Sequence, residues 1–445
     1  MKENLKIKKH LSSFQIIILG FLGVILLGAL ILSLPFCSKS GQATPFSDAL
    51  FTSTSAVCVT GLVVRDTATH WSTLGHVIII TLIQIGGMGV VSVAAAFAML
   101  SGRKIGLFQR STMQEAMGAQ NVGGIVRLLR FILVLTFSIE LLGAAAMAPV
   151  FCRDLGLAKG IWFSVFHSIS AFCNAGFDLL GETAQFSSLT SYATNPVINI
   201  VVVLLILFGG LGFLTWDDIR THHIHLRKYR MQSKVVLTLT LILVLAPATL
   251  FFFTEFENEP LGDRILYSLF QAVTPRTAGF NTADFSLMSQ AGITVIIILM
   301  LIGGSSGSTA GGMKMTTLAV LLSASTSVFR RRNSARLFGR RVEEGTIRHA
   351  AAILIMYLTL FLGGSIAISL IEGLPMLTCM FEAASAVATV GLTMGITPDL
   401  SLASQIILMV LMFLGRVGGL TLIYAASSGI RQNLSQLPQE KITVG

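Results

Sequence analysis

Eight apolar runs, most of about 20 residues or more, constrain this chain more than any other feature. They are Phe14–Leu34, Leu74–Leu100, Ile125–Phe151, Asn195–Trp216, Val235–Phe253, Ile293–Val328, Ala350–Ile371 and Ala403–Ala426. In hydrocarbon a backbone N–H or C=O has no water to bond, so such a run must satisfy itself, and a helix does so within one segment. Charged residues are 12% of the chain, where a soluble chain carries about a quarter. The expectation is a multi-spanning helical membrane protein. The basic start, "MKENLKIKKH", precedes a run too long for a cleaved leader, so Phe14–Leu34 reads as an uncleaved first span.

The connectors alternate in charge. Basic ones hold Lys2, Lys6, Lys8 and Lys9; Arg103, Lys104, Arg110, Arg127 and Arg130; Arg220, Arg227, Lys228, Arg230 and Lys234; and seven arginines from Arg330 to Arg348. With Arg431 and Lys441 they account for 23 of the 31 Lys and Arg residues. Positive charge concentrates on the cytoplasmic side, which places these connectors and both termini inside. The net charge of +10 is therefore topological and does not indicate nucleic acid.

Each external connector holds a segment too short to cross and too apolar for a plain loop. They read "DALFTSTSAVCVTGL" (48–62), "FSVFHSISAFCNAGF" (163–177), "LYSLFQAVTPRTAGF" (266–280) and "TCMFEAASAVATVGL" (378–392). Aligned on Gly61, Gly176, Gly279 and Gly391, they carry Ser55, Ser170, Val273 and Ser385 six residues earlier. Five residues earlier stand Ala56, Ala171, Thr274 and Ala386. This is an internal repeat. The expected fold is all-α, with four tandem units of membrane helix, re-entrant pore helix, glycine-bearing descent and membrane helix. Eight transmembrane helices and four re-entrant segments would surround one pseudo-fourfold pore. The units divide at 1–100, 101–216, 217–328 and 329–445. Non-helical backbone at membrane depth survives only against protein or a watery path. Four such descents can ring an axis with carbonyl oxygens, which replace the hydration shell of a potassium ion. The partly negative C-terminal ends of the short helices favour the same cation.

The motifs "VTGL", "AFCNAGF", "QAVTPRTAGFN", "GGSSGSTAGGMK", "ATVGLTMGITP" and "MFLGRVGGLT" cover nearly the whole chain. In order and spacing they resemble the Trk, Ktr and HKT superfamily of potassium transporters, and most of all the KtrB-type membrane subunits of bacterial Ktr systems. The resemblance implies a selectivity filter whose glycines are Gly61, Gly176, Gly279 and Gly391. It puts carbonyl-bearing residues at Val59 and Thr60, Asn174 and Ala175, Thr277 and Ala278, and Thr389 and Val390. Cys58, Cys173, Arg276 and Ala388 flank them; a reading of both cysteines as small packing residues stands beside this. In the family a glycine in all four units goes with potassium, the expected substrate. Sodium stimulates flux in some Ktr systems.

The sixth run is broken by "GGSSGSTAGGMK", comprising Gly303, Gly304, Ser305, Ser306, Gly307, Ser308, Thr309, Ala310, Gly311, Gly312, Met313 and Lys314. A phosphate loop fails because Met313 separates Gly312 from Lys314 and membrane spans flank it. A kink with a snorkelling lysine needs fewer polar residues. The remaining reading is a mobile stretch bordering the ion path, interrupting the second helix of the third unit only. The resemblance implies a gating loop there. Lys314 either pairs with a carboxylate or loop carbonyls or raises a barrier to cations. Arg416 is implied near the loop, acting on the closed gate or held in an ion pair. Glu382 reads as an acidic ligand or pore-helix anchor, and Glu140 as facing a neighbouring helix.

No paired carboxylates, histidine cluster or nucleophile with base lies in the spans, so an enzyme is not expected. Cys37, Cys58, Cys152, Cys173 and Cys379 have no zinc spacing and read as free thiols. His222, His223 and His225 read as solvated surface. No nucleotide-binding segment is present. The resemblance implies instead a homodimer on a cytosolic KtrA-type RCK ring that binds ATP or ADP, this chain binding no cofactor itself. It also implies that the tail "QLPQEKITVG" lies near the dimer contact. The basic connectors suit either that ring or anionic lipid. Location is expected in the bacterial inner membrane. The alternative is a sodium-coupled potassium symporter, disfavoured by parallel repeats and few intramembrane acids.

Overall fold

The computed structural model describes residues 12–101, 105–117, 123–182, 184–419, 421, 438 and 440. The basic residues at 2–9, Arg103, Lys104, Arg431, Lys441 and nearly all of the C-terminal tail lie outside them. The described chain forms 17 α-helices and one small hairpin.

Unit one contains α1 (Ser13–Leu32), the short helix α2 (Phe46–Cys58), one turn, α3 (Thr67–His70), then α4 (Thr73–Met88) and α5 (Val90–Leu100). After α6 (Leu107–Met117), unit two contains α7 (Ile125–Leu155), α8 (Leu157–Phe172), α9 (Pro196–Gly210) and α10 (Phe213–His222). Unit three contains α11 (Met231–Thr254), α12 (Leu261–Val273), α13 (Gln290–Leu301) and α14 (Met315–Phe329). The hairpin β1 (Arg336–Leu337) and β2 (Arg340–Arg341) then leads to unit four: α15 (Glu344–Glu372), α16 (Met376–Val387) and α17 (Leu402–Val417).

The repeat shows in how elements start. Ser72, Asn195, Ser289 and Ser401 cap α4, α9, α13 and α17, each accepting a hydrogen bond from a first-turn N–H. Prolines 45, 260 and 375 stand just before α2, α12 and α16. The leading helices α1, α7, α11 and α15 are each long and apolar enough to cross a membrane. Within a unit the three helices pack on one another. Between units, α4 packs on α8, α9 on α12, α13 on α16, and α17 on α2. The last contact joins the end of the chain to its beginning, so the four units close a ring. The short helices α2, α8, α12 and α16 are its buried centre, with Phe51, Phe166, Phe270 and Phe381 wholly enclosed.

The structure corrects the straight second helices. The expected interruption is confined to unit three, yet units one and two also break at the corresponding place, and α17 of unit four stops there. The axis bends by 97° between α4 and α5 and by 95° between α9 and α10. The breaks fall at Gly89 (φ 86°) and Gly212 (φ 84°), and α17 stops at Gly418 (φ 88°). These angles are open to glycine and strained for other residues. Unit three replaces the single glycine with the 303–314 loop. The hairpin is a small departure from an all-α description, confined to the connector after α14.

Candidate functional site

The four descents meet at the centre of the ring. Each holds a non-glycine residue in the left-handed region: Val59 (φ 56°), Asn174 (φ 58°), Thr277 (φ 69°) and Thr389 (φ 52°). Two residues later come Gly61, Gly176, Gly279 and Gly391, with φ of 96°, 69°, 78° and 94°. A left-handed non-glycine residue costs about 1–2 kcal/mol and persists only where its surroundings dictate it. Here the N–H groups of Val59, Asn174 and Thr389 donate back to the carbonyls of Ala56, Ala171 and Ala386. The next N–H of each, on Thr60, Ala175 and Val390, donates to Ser55, Ser170 and Ser385. Unit three differs: Arg276 N–H donates to the Val273 carbonyl and Ala278 N–H to the Thr274 carbonyl.

The glycines sit against one another in cyclic order. A Cβ on Gly61 would lie 2.5 Å from the Ala175 oxygen, one on Gly176 2.9 Å from the Ala278 oxygen, and one on Gly279 2.5 Å from the Val390 oxygen. One on Gly391 would strike the Thr60 oxygen, completing the circle. Each carbonyl that precedes a glycine therefore faces the glycine of the unit before it. No side chain fits at these four positions.

Polar side chains brace the ring from behind. Ser55 and Ser385 hydroxyls accept from the N–H groups of Gly61 and Gly391, both at 3.0 Å. Ser170 and Thr274 donate to the carbonyls of Phe177 and Phe280. Glu382 accepts from Thr393, from the Met394 N–H and from Thr397. It is thus an anchor for the segment beyond the glycine and not a ligand at the ring. His167, at the matching position of α8, accepts from the Leu179 N–H and donates to the Phe163 carbonyl. Glu140 accepts from Gln84 of α4 at 3.0 and 3.2 Å, with the Cys173 thiol beside both. Cys173 thereby packs against the neighbouring unit, and Gly87 leaves it room. Arg276 is buried behind the ring and reaches Thr240 at 3.3 Å.

The 303–314 loop lies directly beneath the ring. Gly311 abuts the Thr389 side chain, and a Cβ on Gly312 would lie 2.8 Å from the Ala388 oxygen. Ser305 and Thr309 N–H groups donate to Gly210 and Gly209 of α9, and Gly312 N–H donates to Gly415 of α17. The Thr309 hydroxyl donates to the Phe172 carbonyl at 3.0 Å, and Phe213 N–H donates to Gly307 at 2.8 Å. Lys314 folds back onto its own loop, donating to the Ala310 and Gly311 carbonyls at 2.7 and 3.0 Å. Arg416 forms no ion pair among the described residues. Its guanidinium bridges the Thr309 carbonyl on the loop and the Gly86 and Gly87 carbonyls at the end of α4. The loop is thus tied to units one, two and four at once.

A cavity of about 430 Å³ opens outside the ring, and all four glycines line it. Asp66, Asp178 and Asp284 contribute to its wall, and no Lys or Arg does among the described residues. Asp66 accepts from the Phe186 N–H and so ties units one and two. Burial, with some help from the Asp66 charge, pushes the Asp178 carboxyl up to about 7. Outside that lining the Lys159 ammonium, 2.5 Å away, holds Glu182 below the usual carboxylate range. A second cavity, of about 280 Å³, lies on the other side of the loop, against Lys314 and Arg416.

The sixteen residues expected at the filter lie on these four descents, with the Cys173 and Arg276 side chains directed to neighbouring helices, and the loop residues with Lys314 and Arg416 lie just below. The reading of the sequence missed the glycines of the second helices. Gly86, Gly209 and Gly415 sit under the carbonyls of Val57, Phe172 and Val387, where a Cβ would collide. The segments "GGMG", "GGLG" and "GRVGG" carried that signal, parallel to "GGSSG".

A family model described as TrkH, cation transport protein, matches residues 11–436. The chain is 40% identical to the potassium/sodium uptake protein NtpJ of Enterococcus hirae, covering 99% of each. It is 37% identical to the Ktr system potassium uptake protein B of Bacillus subtilis, over 97% of this chain and 96% of that one. Among solved structures, the potassium transporter TrkH from Vibrio parahaemolyticus shares the fold, with a TM-score of 0.73 at 20% identity. That match covers 95% of this chain and 86% of the other. With the family model and full-length relatives in agreement, the chain belongs to the TrkH family of cation transport proteins.

Proposed function

We propose that this chain is the ion-translocating subunit of a Ktr-type potassium uptake system, passing potassium through a channel-like filter under an intramembrane gate. The observation that carries this reading is the closed ring of four left-handed descents. Its glycines leave no space for side chains, so only backbone oxygens can face an ion there, and such rings replace the hydration shell of potassium. The filter comprises residues 58–61, 173–176, 276–279 and 388–391, one set from each unit divided at 1–100, 101–216, 217–328 and 329–445. The 303–314 loop is the gate, and Arg416 is its clamp. The acidic outer cavity gathers cations. The membrane potential drives uptake, at about 2.3 kcal/mol per 100 mV for a monovalent ion. The chain performs no enzymatic step and holds no cofactor; ATP or ADP acts through a cytosolic RCK ring on which a homodimer sits. The Ktr system relatives support a partnered assembly. The basic connectors support an inner-membrane orientation with both termini cytoplasmic. Sodium enters as an activator or, in a second reading, as a co-transported ion; the name of the Enterococcus relative favours keeping that reading.

The test is rubidium uptake into a bacterium lacking its own potassium uptake, with and without the partner ring. Gly391→Ser should lower potassium over sodium selectivity, and a deletion within 305–311 should free uptake from the partner. A folded, membrane-inserted protein that carries no rubidium under any condition refutes the reading.

A further inference from the structure

At the end opposite the outer cavity, a groove of about 380 Å³ runs between α11, α14 and the β1–β2 hairpin. Its apolar lining includes Leu239, Leu322 and Phe338, the last two more than half exposed. Its polar lining includes Arg330, Arg332 and Arg336 with the hydroxyls of Ser327 and Ser334. None of the three arginines forms an ion pair among the described residues; the hairpin's one pair is Arg341 with Glu344. The hairpin is held in place because Ser323 of α14 donates to the Arg336 carbonyl at 3.0 Å.

The gradient runs along the helix axis. Leu322 and Arg330 are eight residues apart, about 12 Å at helical rise. That is the vertical order of a bilayer leaflet, with acyl chains deep and phosphates at the surface. A protein docking from the cytosol would meet Arg330 and leave Leu322, deeper along α14, uncovered. Basic pockets between membrane helices on the cytoplasmic side select anionic headgroups.

We propose that this groove binds one anionic phospholipid, its phosphate on Arg330, Arg332 and Arg336 and an acyl chain over Leu239 and Leu322. The inference rests on the orientation proposed above. The site sits on α14, the helix that continues the loop from Lys314, so the lipid anchors the far end of that helix.

The test is native mass spectrometry of the delipidated full chain titrated with phosphatidylglycerol or phosphatidylcholine. The wild type should hold one phosphatidylglycerol per chain in preference to phosphatidylcholine. Arg330→Gln, Arg332→Gln and Arg336→Gln together should weaken that binding roughly a hundredfold. Leu322→Trp crowds the apolar lining, keeps every charge and should also displace the lipid. Arg127→Gln, Arg227→Gln and Lys228→Gln together, on other basic connectors, should leave it in place. Retention by both groove variants overturns the proposal, as does an equal loss in the control triple. Because the readout needs no flux, a chain that holds the lipid but carries no rubidium refutes the transport reading alone.

Discussion

Arg416 bridges the 303–314 loop and the end of α4, and its replacement tests the proposed gate directly. The bond from its guanidinium to the Thr309 carbonyl is the link from α17 to the middle of the loop. A hydrogen bond to a charged group contributes about 1.5–3 kcal/mol. Losing it should raise the population of the displaced loop roughly tenfold to 150-fold. The loop is not freed altogether, because its bonds to Gly209, Gly210, Phe172, Phe213 and Gly415 remain. Arg416→Gln should therefore allow rubidium uptake without the partner ring, short of that in a loop deletion. Arg416→Lys separates clamping from simple repulsion. A lysine keeps the charge, yet its single ammonium cannot fork between the Thr309 carbonyl and those of Gly86 and Gly87. Partner-independent uptake should rise in both variants. If the lysine variant matches the wild type while the glutamine variant leaks, the residue acts by charge alone and the clamp is refuted.

Two further outcomes follow from the structure. Asp178 is largely uncharged below about pH 7 and charged above it, so uptake from dilute potassium should rise roughly two- to tenfold as external pH goes from about 6 to about 8. Asp178→Asn should flatten that rise. A raised folded-state pKa gives stability that is complete below the ordinary carboxylate range and is lost as pH rises through about 7. The wild type should thus melt progressively lower across that interval than it does in acid, and the asparagine variant should not. Gly209→Ala puts a methyl group against the Phe172 carbonyl and the Thr309 side chain. It should destabilise the protein by about 1–3 kcal/mol, read as a lower melting temperature in detergent together with reduced uptake. An unchanged melting point would show that α9 can draw back from α8.

The repeat was legible because its requirements are local. A glycine that must take φ near 70–95° cannot be exchanged, and the apolar helices before it need only small residues where they crowd. Ser55, Ser170 and Ser385 were visible for the same reason, although their opposite hydrogen-bond roles were not: two accept from a glycine N–H and one donates to a carbonyl. The bends at Gly89 and Gly212 escaped because a 27-residue apolar run reads as one helix on hydropathy alone. The crowding that requires Gly86 and Gly209 just before those bends lies in another segment, the carbonyls of Val57 at the end of α2 and Phe172 at the end of α8. Lys314 and Arg416 were legible as cations out of place, but their partners were not. Both settle on backbone carbonyls, which every residue carries and no side-chain pattern advertises.

The closure of the ring by α17 on α2 means that one polypeptide does what four identical subunits could do by symmetry. Identical subunits would repeat any elaboration four times, and four copies of a twelve-residue loop could not share one axis. A fused chain escapes that restriction. Three quarters keep a glycine at that place and serve as a frame, while the third quarter is free to grow the twelve-residue loop. Mutational tolerance should be uneven in the same way: a change at one glycine of the ring meets a different neighbour in each quarter, and no quarter can substitute for another.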